Sequence, residues 1–275
     1  MDNRPIGVLD SGMGGLTAVR ELLRVLPCED IVYFGDTGRV PYGTRSAETV
    51  VRYAIQDVNF LLSHGVKMVI AACGTVTTTL PAALTERFAF PYTGVLHPTV
   101  RAAAAATRNG KVGVIATATT IRTGAYEREL KRINPELRVF SKACPLFVPL
   151  VENGYVERGN PVTRLVAEDY LASLREEGCD TLILGCTHYP VIAGIIGDTM
   201  GPETALIDSG KAAADYARRL LEEKDLLTGR EEAGTAAFYV SDDPGQFTQN
   251  AALFLGGGFR GNVEKADITA YPDTI

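Results

Sequence analysis

Short apolar, β-branched runs alternate with amphipathic stretches along most of the chain, and this alternation restricts the possible folds more than any other feature. Buried strands are predicted for seven of these runs: 6–9, 31–34, 68–71, 112–115, 181–184, 205–207 and 236–240. Helices are predicted for five of the intervening stretches: 16–26, 47–63, 163–177, 211–223 and 244–255. Strands that alternate with helices of this length form βαβ units, so the sequence predicts an α/β fold with mostly parallel sheets.

A weak internal repeat suggests that the fold contains two similar halves. The run IGVLDSG at 6–12 resembles VGVIATA at 112–118, and MVIAACGT at 68–75 resembles TLILGCTH at 181–188. The two offsets, 106 and 113 positions, nearly agree. Buried parallel strands resemble one another, so chance similarity stays open. A length of 275 residues corresponds to about two domains. We expect a first α/β domain at 1–95 and 208–275 and a second at 96–207.

Charge and cysteine content exclude several classes of protein. Lys and Arg number 27 against 33 Asp and Glu, giving a net charge of −6, so the sequence predicts no nucleic-acid partner. No apolar run approaches the ~18 residues of a membrane span, and the first residues do not resemble a secretory signal. Five scattered cysteines do not form a disulfide scaffold. We therefore expect a soluble, reduced, cytoplasmic protein without a membrane partner.

The glycine-rich segment from Asp10 to Leu16 is a candidate ligand site because it follows a strand and opens a helix. Glycines allow close backbone approach, and the N–H groups that begin a helix favour an anion. The segment lacks the P-loop lysine and the spacing of a dinucleotide-binding loop. A carboxylate suits it as well as a phosphate, and Asp10 and Ser11 could instead serve only as helix caps.

Two cysteines, Cys73 and Cys186, each lie just past a predicted strand and before a hydroxyl-bearing turn. Side chains at the carboxyl ends of parallel strands face the ligand cleft of α/β proteins. A cysteine that acts as a base must become a thiolate, so its pKa of ~8.5 has to approach neutrality. Asp10 and His188 are plausible proton partners for the two thiols. Cys28, Cys144 and Cys179 are expected to have packing roles.

Two alternative interpretations of these residues require a metal or a cofactor. Cys73, Cys186, His188 and Asp10 could form a mixed zinc site, but no pair has the spacing of a strong zinc motif. Pyridoxal phosphate needs a Schiff-base lysine, and none of the seven lysines lies in a glycine-rich turn after a strand. The sequence favours chemistry without a cofactor or metal.

Five motifs, in order between residues 10 and 190, together resemble the glutamate racemases of the aspartate/glutamate racemase superfamily. They are Asp10-Ser11-Gly12-x-Gly14-Gly15-Leu16, Pro41-Tyr42-Gly43, Ala72-Cys73-x-Thr75, Cys144-Pro145-Leu146 through Glu152, and Gly185-Cys186-Thr187-His188-Tyr189-Pro190. Each motif alone is weak, and the combination is specific. The resemblance implies two α/β domains related by a pseudo-twofold axis, with the active site in the cleft between them.

The resemblance also implies roles for individual residues. Cys73 and Cys186 correspond to the two acid–base cysteines on opposite faces of the substrate α-carbon. Asp10 and His188 correspond to assisting acid–base residues, and Glu152 to the carboxylate that supports the histidine. Substrate-binding positions are implied for Asp10, Ser11, Gly74, Thr75, Thr117, Thr187 and His188, and for the turn Pro41, Tyr42 and Gly43 that receives the side-chain carboxylate.

The implied activity is cofactor-independent interconversion of L- and D-glutamate, which supplies D-glutamate for peptidoglycan. A small-molecule substrate and a homodimer are the implied partners. A racemase for aspartate or another small acidic amino acid stays open, as does a binding or regulatory protein with a residual amino-acid pocket. A binding protein would need neither cysteine, so the intact pair argues against that last alternative.

The chain departs from the family pattern in two places. The usual Gly-Thr-x-Gly-Thr turn is replaced here by Ala116-Thr117-Ala118-Thr119-Thr120. The other departure follows the first cysteine. Asparagine usually follows the first cysteine, where this chain has Gly74. Glycine removes a side-chain amide that could hydrogen-bond the substrate, so weaker glutamate binding is expected. We further expect Gly74→Asn to recover part of that binding, provided that the pocket has room.

Overall fold

Two parallel β-sheets organise the chain in a computed structural model that describes residues 1–257, 259 and 261–274. The strands are β1 Ile6–Asp10, β2 Ile31–Gly35, β3 Met68–Ala71, β4 Tyr92–Gly94, β5 Lys111–Ala116, β6 Arg138–Ala143, β7 Thr181–Leu184, β8 Ala205–Asp208, β9 Ala236–Val240 and β10 Val263–Lys265. The first sheet has the order β10-β9-β2-β1-β3-β4, and the second has the order β6-β5-β7-β8. The predicted α/β class with parallel sheets is confirmed.

Helices connect the strands and cover the sheets. They are α1 Leu16–Val25, α2 Ala47–Ser63, α3 Gly74–Thr79, α4 Ala82–Thr85, α5 Leu96–Ala106, α6 Ala118–Arg122, α7 Ala125–Ile133, α8 Phe147–Glu152, α9 Pro161–Glu176, α10 Ala193–Met200, α11 Ser209–Glu223 and α12 Pro244–Leu255. Short 3₁₀ turns lie at Thr37–Arg39, Tyr42–Thr44, Tyr189–Ile192 and Ile268–Ala270. Among the described residues, no helix combines the length and the apolar character that crossing a bilayer requires.

The same strand order occurs in both sheets. β1 pairs with β2 and β3, and β4 extends the sheet beyond β3. β5 pairs in the same way with β6 and β7, and β8 extends the sheet beyond β7. The two sequence repeats fall on β1 and β5 and on β3 and β7, which are the central strands of the two arrangements. The repeated sequence therefore corresponds to a repeated topology.

Each central strand is buried on both faces, which explains its continuous apolar sequence. In β1, Ile6 and Val8 pack into one core cluster and Leu9 into another, as the two-residue period of a strand requires. In β7, Leu182 joins the first of these clusters, whereas Ile183 packs with α5 and α7. One core cluster thus extends across both sheets and holds them together.

The carboxyl-terminal strands return to the first sheet. β9 pairs with β2 in parallel, and β10 adds to the free edge of β9. The second sheet ends with β8 at Asp208. The domain limits 1–95, 96–207 and 208–275 stay a prediction.

Three strands and several short helices were not predicted. β4 and β10 have only three residues each, too few for a period to be visible. β6 is an edge strand that is half-exposed, so polar residues interrupt its apolar sequence. The threonine-rich sequence of α3 contains β-branched residues that disfavour a helix, yet it forms one directly after Cys73.

A buried ion pair lies at the amino-terminal ends of β2 and β3. The Lys67 side chain is 0% exposed and donates to Glu29 Oε2 at 2.6 Å and to the Asp2 carbonyl at 2.6 Å. Glu29 Oε1 accepts from the Thr228 backbone N–H at 2.8 Å. The pair therefore connects the first sheet to two other segments, the amino terminus at Asp2 and the segment that contains Thr228.

We predict that Lys67→Met lowers the free energy of unfolding by about 3–5 kcal/mol, because it leaves the Glu29 charge buried without its cation. Urea denaturation measures this loss. The double variant Lys67→Met/Glu29→Gln keeps the acceptor for Thr228 and should lose less than Lys67→Met alone. A loss below about 1 kcal/mol in the single variant would contradict the assignment.

Candidate active site

A cavity of about 390 Å³ lies where the carboxyl ends of the two sheets meet. The loops after β1, β2 and β3 contribute Ser11, Gly12, Val40, Pro41, Tyr42, Gly43, Thr44, Cys73, Gly74 and Thr75. The loops and helices after β5, β6 and β7 contribute Thr117, Ala118, Thr120, Pro145, Val148, Pro149, Glu152, Gly185, Cys186, Thr187 and His188. Every residue predicted for the site is in the lining except Asp10.

Cys73 reaches the cavity because it lies two residues after the end of β3 and immediately before α3. Its side chain is buried, and Sγ lies 3.4 Å from Ser11 Oγ, to which the thiol donates. Burial raises the pKa of the Cys73 thiol to about 12, and the neighbouring Asp10 carboxylate also raises it. In this structure Cys73 is therefore a neutral thiol at pH 7.

Cys186 occupies the equivalent place after β7 and has a charged partner. Cys186 Sγ lies 3.9 Å from His188 Nδ1, and His188 Nε2 lies 3.0 Å from Glu152 Oε1. Burial lowers the pKa of His188, but the hydrogen bonds to Cys186 and Glu152 outweigh it and raise the pKa to about 10. A protonated imidazole can neutralise a thiolate at Cys186, so this thiol has a built-in counter-ion.

Asp10 lies just behind the cavity lining, so its predicted contact with substrate stays a prediction. It ends β1 and is buried, with Oδ2 accepting the Gly12 backbone N–H at 3.0 Å. Its other oxygen, Oδ1, has no hydrogen-bond partner among the described residues. Burial raises the pKa of the Asp10 carboxyl, and the charge of His188 lowers it. Asp10 is close enough to the site for its charge to raise the pKa of Cys73.

Three threonine hydroxyls from both halves meet on one side of the cavity. Thr75 Oγ1 lies 3.4 Å from Thr117 Oγ1 and 3.5 Å from Thr120 Oγ1, and Thr117 donates to Thr120 at 3.1 Å. Hydroxyl groups both donate and accept, so the cluster can reorient to bind a carboxylate. Sequence reasoning missed Thr120, although it stands three residues after Thr117 in the same threonine-rich turn.

In the 41–43 turn, the Tyr42 hydroxyl contacts two buried carboxyl groups. That hydroxyl donates to Asp36 Oδ2 and lies 3.1 Å from Asp57 Oδ2, on the side of the turn that faces α2. The Gly43 carbonyl accepts from the Thr119 hydroxyl in the second half. The turn is therefore fixed on both sides, and its remaining polar groups can face a ligand.

Gly74 stands at the closest approach of the two halves. A Cβ atom at this position would lie 2.5 Å from the Gly185 carbonyl oxygen, which is closer than real Cβ contacts. The obstacle is backbone, so a side chain at position 74 requires the two turns to separate. We expected Gly74→Asn to recover binding only if the pocket had room for a side chain. The Gly185 backbone leaves no such room.

The other candidate sites lack comparable chemistry. A larger cavity of about 680 Å³ between α3, α4, α5 and α7 contains none of the predicted site residues. In the part of the chain that the structure describes, no three His, Cys, Asp or Glu side chains come close enough to share a metal ion. Cys144 is buried beside the site and outside the lining of the 390 Å³ cavity, in keeping with a packing role.

Comparison with known proteins identifies the family. Residues 16–217 match the family model for Asp/Glu/hydantoin racemases. A glutamate racemase of Geobacter metallireducens is 46% identical over 97% of this chain and 98% of its own length. The chain belongs to the Asp/Glu/hydantoin racemase family. It is therefore a racemase, an enzyme of the isomerase class.

Solved structures of glutamate racemases superpose on nearly the whole length of this racemase. A glutamate racemase isoform from Bacillus anthracis superposes with a TM-score of 0.92 at 36% identity, covering 97% of this chain and 98% of the other. The glutamate racemase of Francisella tularensis, solved in complex with D-glutamate, gives a TM-score of 0.89 at 38% identity and covers 98% and 100%.

We predict that Gly74→Ala and Gly74→Asn both lower the kcat/KM of the racemase at least about tenfold, because each forces the two turns apart. Gly159→Ala is the matched control, since a Cβ there meets nothing within 4 Å. Steady-state kinetics on both enantiomers measure the effect. A lower KM in Gly74→Asn, without the same gain in Gly74→Ala, would instead show that the amide binds substrate.

A second prediction concerns the pH dependence set by His188. Activity that requires the protonated imidazole should fall as the pH rises through about 10, the pKa of His188. Glu152→Gln removes a partner that raises this pKa, so the fall should move to lower pH. The pH profile of kcat in both reaction directions measures it. An unchanged alkaline limit in Glu152→Gln would contradict the role of the Glu152–His188 pair.

Proposed function

We propose that this racemase interconverts L- and D-glutamate with Cys73 and Cys186 as its two acid–base groups and without a cofactor. The observation that carries the proposal is that the two cysteines follow equivalent strands of two sheets and line one cavity. They approach a ligand in that cavity from different halves of the molecule. This arrangement suits inversion of a carbon centre, since a proton must leave one face and return to the other.

The proton balance of the reaction is simple. One cysteine thiolate takes the α-proton and becomes a thiol, and the electron pair of the broken C–H bond passes into the substrate carboxylate. The opposite thiol then gives its proton to the other face of the α-carbon and becomes a thiolate. Each turnover leaves the two cysteines in exchanged protonation states, so the enzyme is ready for the reverse reaction.

The two cysteines start from different electrostatic environments. Cys186 has the His188–Glu152 pair beside it, whereas Cys73 has only Ser11 and the Asp10 carboxyl. In our proposal the bound substrate's ammonium group supplies the positive charge that the Cys73 side lacks, and Asp10 helps to hold it. Removal of a proton by Cys73 then depends on substrate binding, whereas Cys186 has the His188 imidazole beside it in the free enzyme.

Glutamate is the proposed substrate for two reasons. Glutamate racemases from several bacteria share 44–46% identity with this chain over more than nine-tenths of its length. The site also offers two separate polar regions, the threonine cluster and the 41–43 turn, for an amino acid with two carboxylates. Racemisation of aspartate in preference to glutamate, measured on the purified protein, would assign the alternative substrate.

The wider role belongs to the same proposal. D-glutamate made by this enzyme would supply peptidoglycan synthesis in the cytoplasm, and the enzyme would act as a homodimer, as the family resemblance implies. Light scattering tests the dimer, and rescue of a D-glutamate auxotroph tests the supply of D-glutamate.

We predict that Cys73→Ala and Cys186→Ala each lower the racemisation rate at least ~100-fold, because each thiol serves one face of the substrate. Serine at either position should be nearly as inactive, since an alkoxide is a far less accessible base. Cys144→Ala, a buried cysteine outside the cavity lining, is the control and should retain activity. Circular dichroism checks that all variants fold, and activity above a few per cent in either catalytic variant would refute the two-cysteine assignment.

A further prediction is that exhaustive chelation and carbonyl reagents leave the activity unchanged, because the proposed chemistry uses only side chains of this chain. Polarimetry before and after dialysis against a chelator measures it. Loss of activity that zinc restores would instead indicate that Cys73, Cys186 and His188 are metal ligands.

A further inference from the structure

A group of buried charged and polar side chains lies behind the 40–44 turn, outside the reacting centre. Asp36 follows β2, Arg39 and Tyr42 belong to the turn, and Asp57 comes from the middle of α2. Both carboxylate side chains are 0% exposed. Neither proton transfer nor the threonine cluster uses these groups. Burying two acids beside one base is costly, so their arrangement calls for a specific explanation.

The hydrogen bonds converge on the Tyr42 hydroxyl and the Arg39 guanidinium. Asp36 Oδ2 accepts from Arg39 Nε at 2.5 Å and from the Tyr42 hydroxyl, and Asp36 Oδ1 accepts from Ser241 Oγ at 2.7 Å. Asp57 Oδ1 accepts from Arg39 Nη2 at 3.1 Å, and Asp57 Oδ2 lies 3.1 Å from the Tyr42 oxygen. The Tyr42 oxygen therefore stands between two carboxyl groups.

A count of protons shows that this arrangement is incomplete if both acids are ionised. The Tyr42 hydroxyl has one proton, which it donates to Asp36, so its oxygen can only accept a hydrogen bond from Asp57 Oδ2. An ionised Asp57 has nothing to donate, and two acceptor oxygens would face each other at 3.1 Å. A protonated Asp57 donates to Tyr42, which donates to Asp36, and every contact is satisfied.

The charges around Asp57 favour the same state. Asp36 from the end of β2 and Asp10 from the end of β1 are acidic, and Arg39 is the cation paired with both Asp36 and Asp57. Gln56 of α2, which accepts from Arg39, and Ser241 after β9 are neutral. One protonated acid leaves the group neutral. Burial raises the pKa of the Asp57 carboxyl well above its usual value, and the charge of Asp36 raises it further.

We propose that Asp57 carries a proton in the active enzyme and, with Asp36 and Arg39, positions the 40–44 turn through the Tyr42 hydroxyl. The proposal rests on the proposed function only because that turn is taken to receive the substrate's side-chain carboxylate. Val40, Pro41, Tyr42, Gly43 and Thr44 all line the cavity, so displacing Tyr42 displaces one wall of the site. Asp57, Asp36 and Arg39 are thus positioning residues that act on substrate through the turn.

The kinetic test compares two substitutions of Asp57. Asparagine keeps one acceptor and one donor, as a protonated acid does, so Asp57→Asn should keep the KM for glutamate within about threefold. Asp57→Ala removes the Asp57 contacts of Tyr42 and Arg39 and leaves Tyr42 with Asp36 and Arg39 with Asp36 and Gln56. It should raise KM at least about tenfold, with a much smaller change in kcat. If Asp57→Ala does not fold, Tyr42→Phe replaces it and should also raise KM. Equal damage from asparagine and alanine would overturn the proposal.

An independent test detects the proton on Asp57 through protein stability and requires no measurement of enzyme activity. A carboxyl that is protonated in the folded state and ionised in the unfolded state makes stability fall as the pH rises between its two pKa values. From about pH 4 upwards, the unfolding equilibrium constant of the wild type should grow relative to Asp57→Asn by up to about tenfold per pH unit. Urea denaturation across that range measures the ratio.

The two tests fail for different reasons. The unfolding equilibrium constants of the wild type and Asp57→Asn could keep a constant ratio as the pH changes. That result would refute protonation of Asp57, whatever the substrate is. A wild-type enzyme that does not racemise glutamate would refute the proposed function and leave the stability result in place. Normal KM values in Asp57→Ala and Tyr42→Phe would refute the positioning role alone.

Discussion

Close contact between two backbone turns, one at the end of each sheet, is the constraint on which the rest of the site depends. Gly74 has no side chain where it meets the Gly185 carbonyl, and the Thr17 hydroxyl donates to the Thr187 carbonyl at 3.0 Å nearby. These contacts hold the carboxyl ends of the two sheets against one cavity. The proposed mechanism, in which two thiols serve one small substrate, depends on this contact, because neither half contains both thiols.

Burial then determines the electrostatics of the cavity. A thiol far from water is a poor acid, so burial keeps Cys73 neutral until a positive charge arrives, and the His188–Glu152 pair provides such a charge at Cys186. The same low-dielectric environment supports the proposed proton on Asp57, since two ionised buried carboxylates would otherwise share the single Arg39 cation. On both sides of the cavity, burial favours the neutral form of an acid unless an opposite charge lies close by.

The sequence predicted the features that depend on periodicity and on strand ends. The central strands are apolar on both faces, which made the fold class predictable. Cys73 and Cys186 follow two of these strands, so their placement at one cavity was predictable as well. The half-exposed strand β6 has no such pattern. Asp57 was not found because one acid in an amphipathic helix resembles a solvent-facing charge, and only the tertiary structure brings it to Tyr42. The obstacle at Gly74 depends on the distance between two turns, which no local pattern encodes.

The most direct test of the central claim, that two groups act on opposite faces, is racemisation in deuterium oxide followed to low conversion. With two groups on opposite faces, the product should carry deuterium at its α-carbon from the first turnovers, because the donating thiol has exchanged with solvent. The remaining substrate should stay largely unlabelled at that stage. Product that retains the original proton would show that one group removes and returns it, and this result would contradict the account.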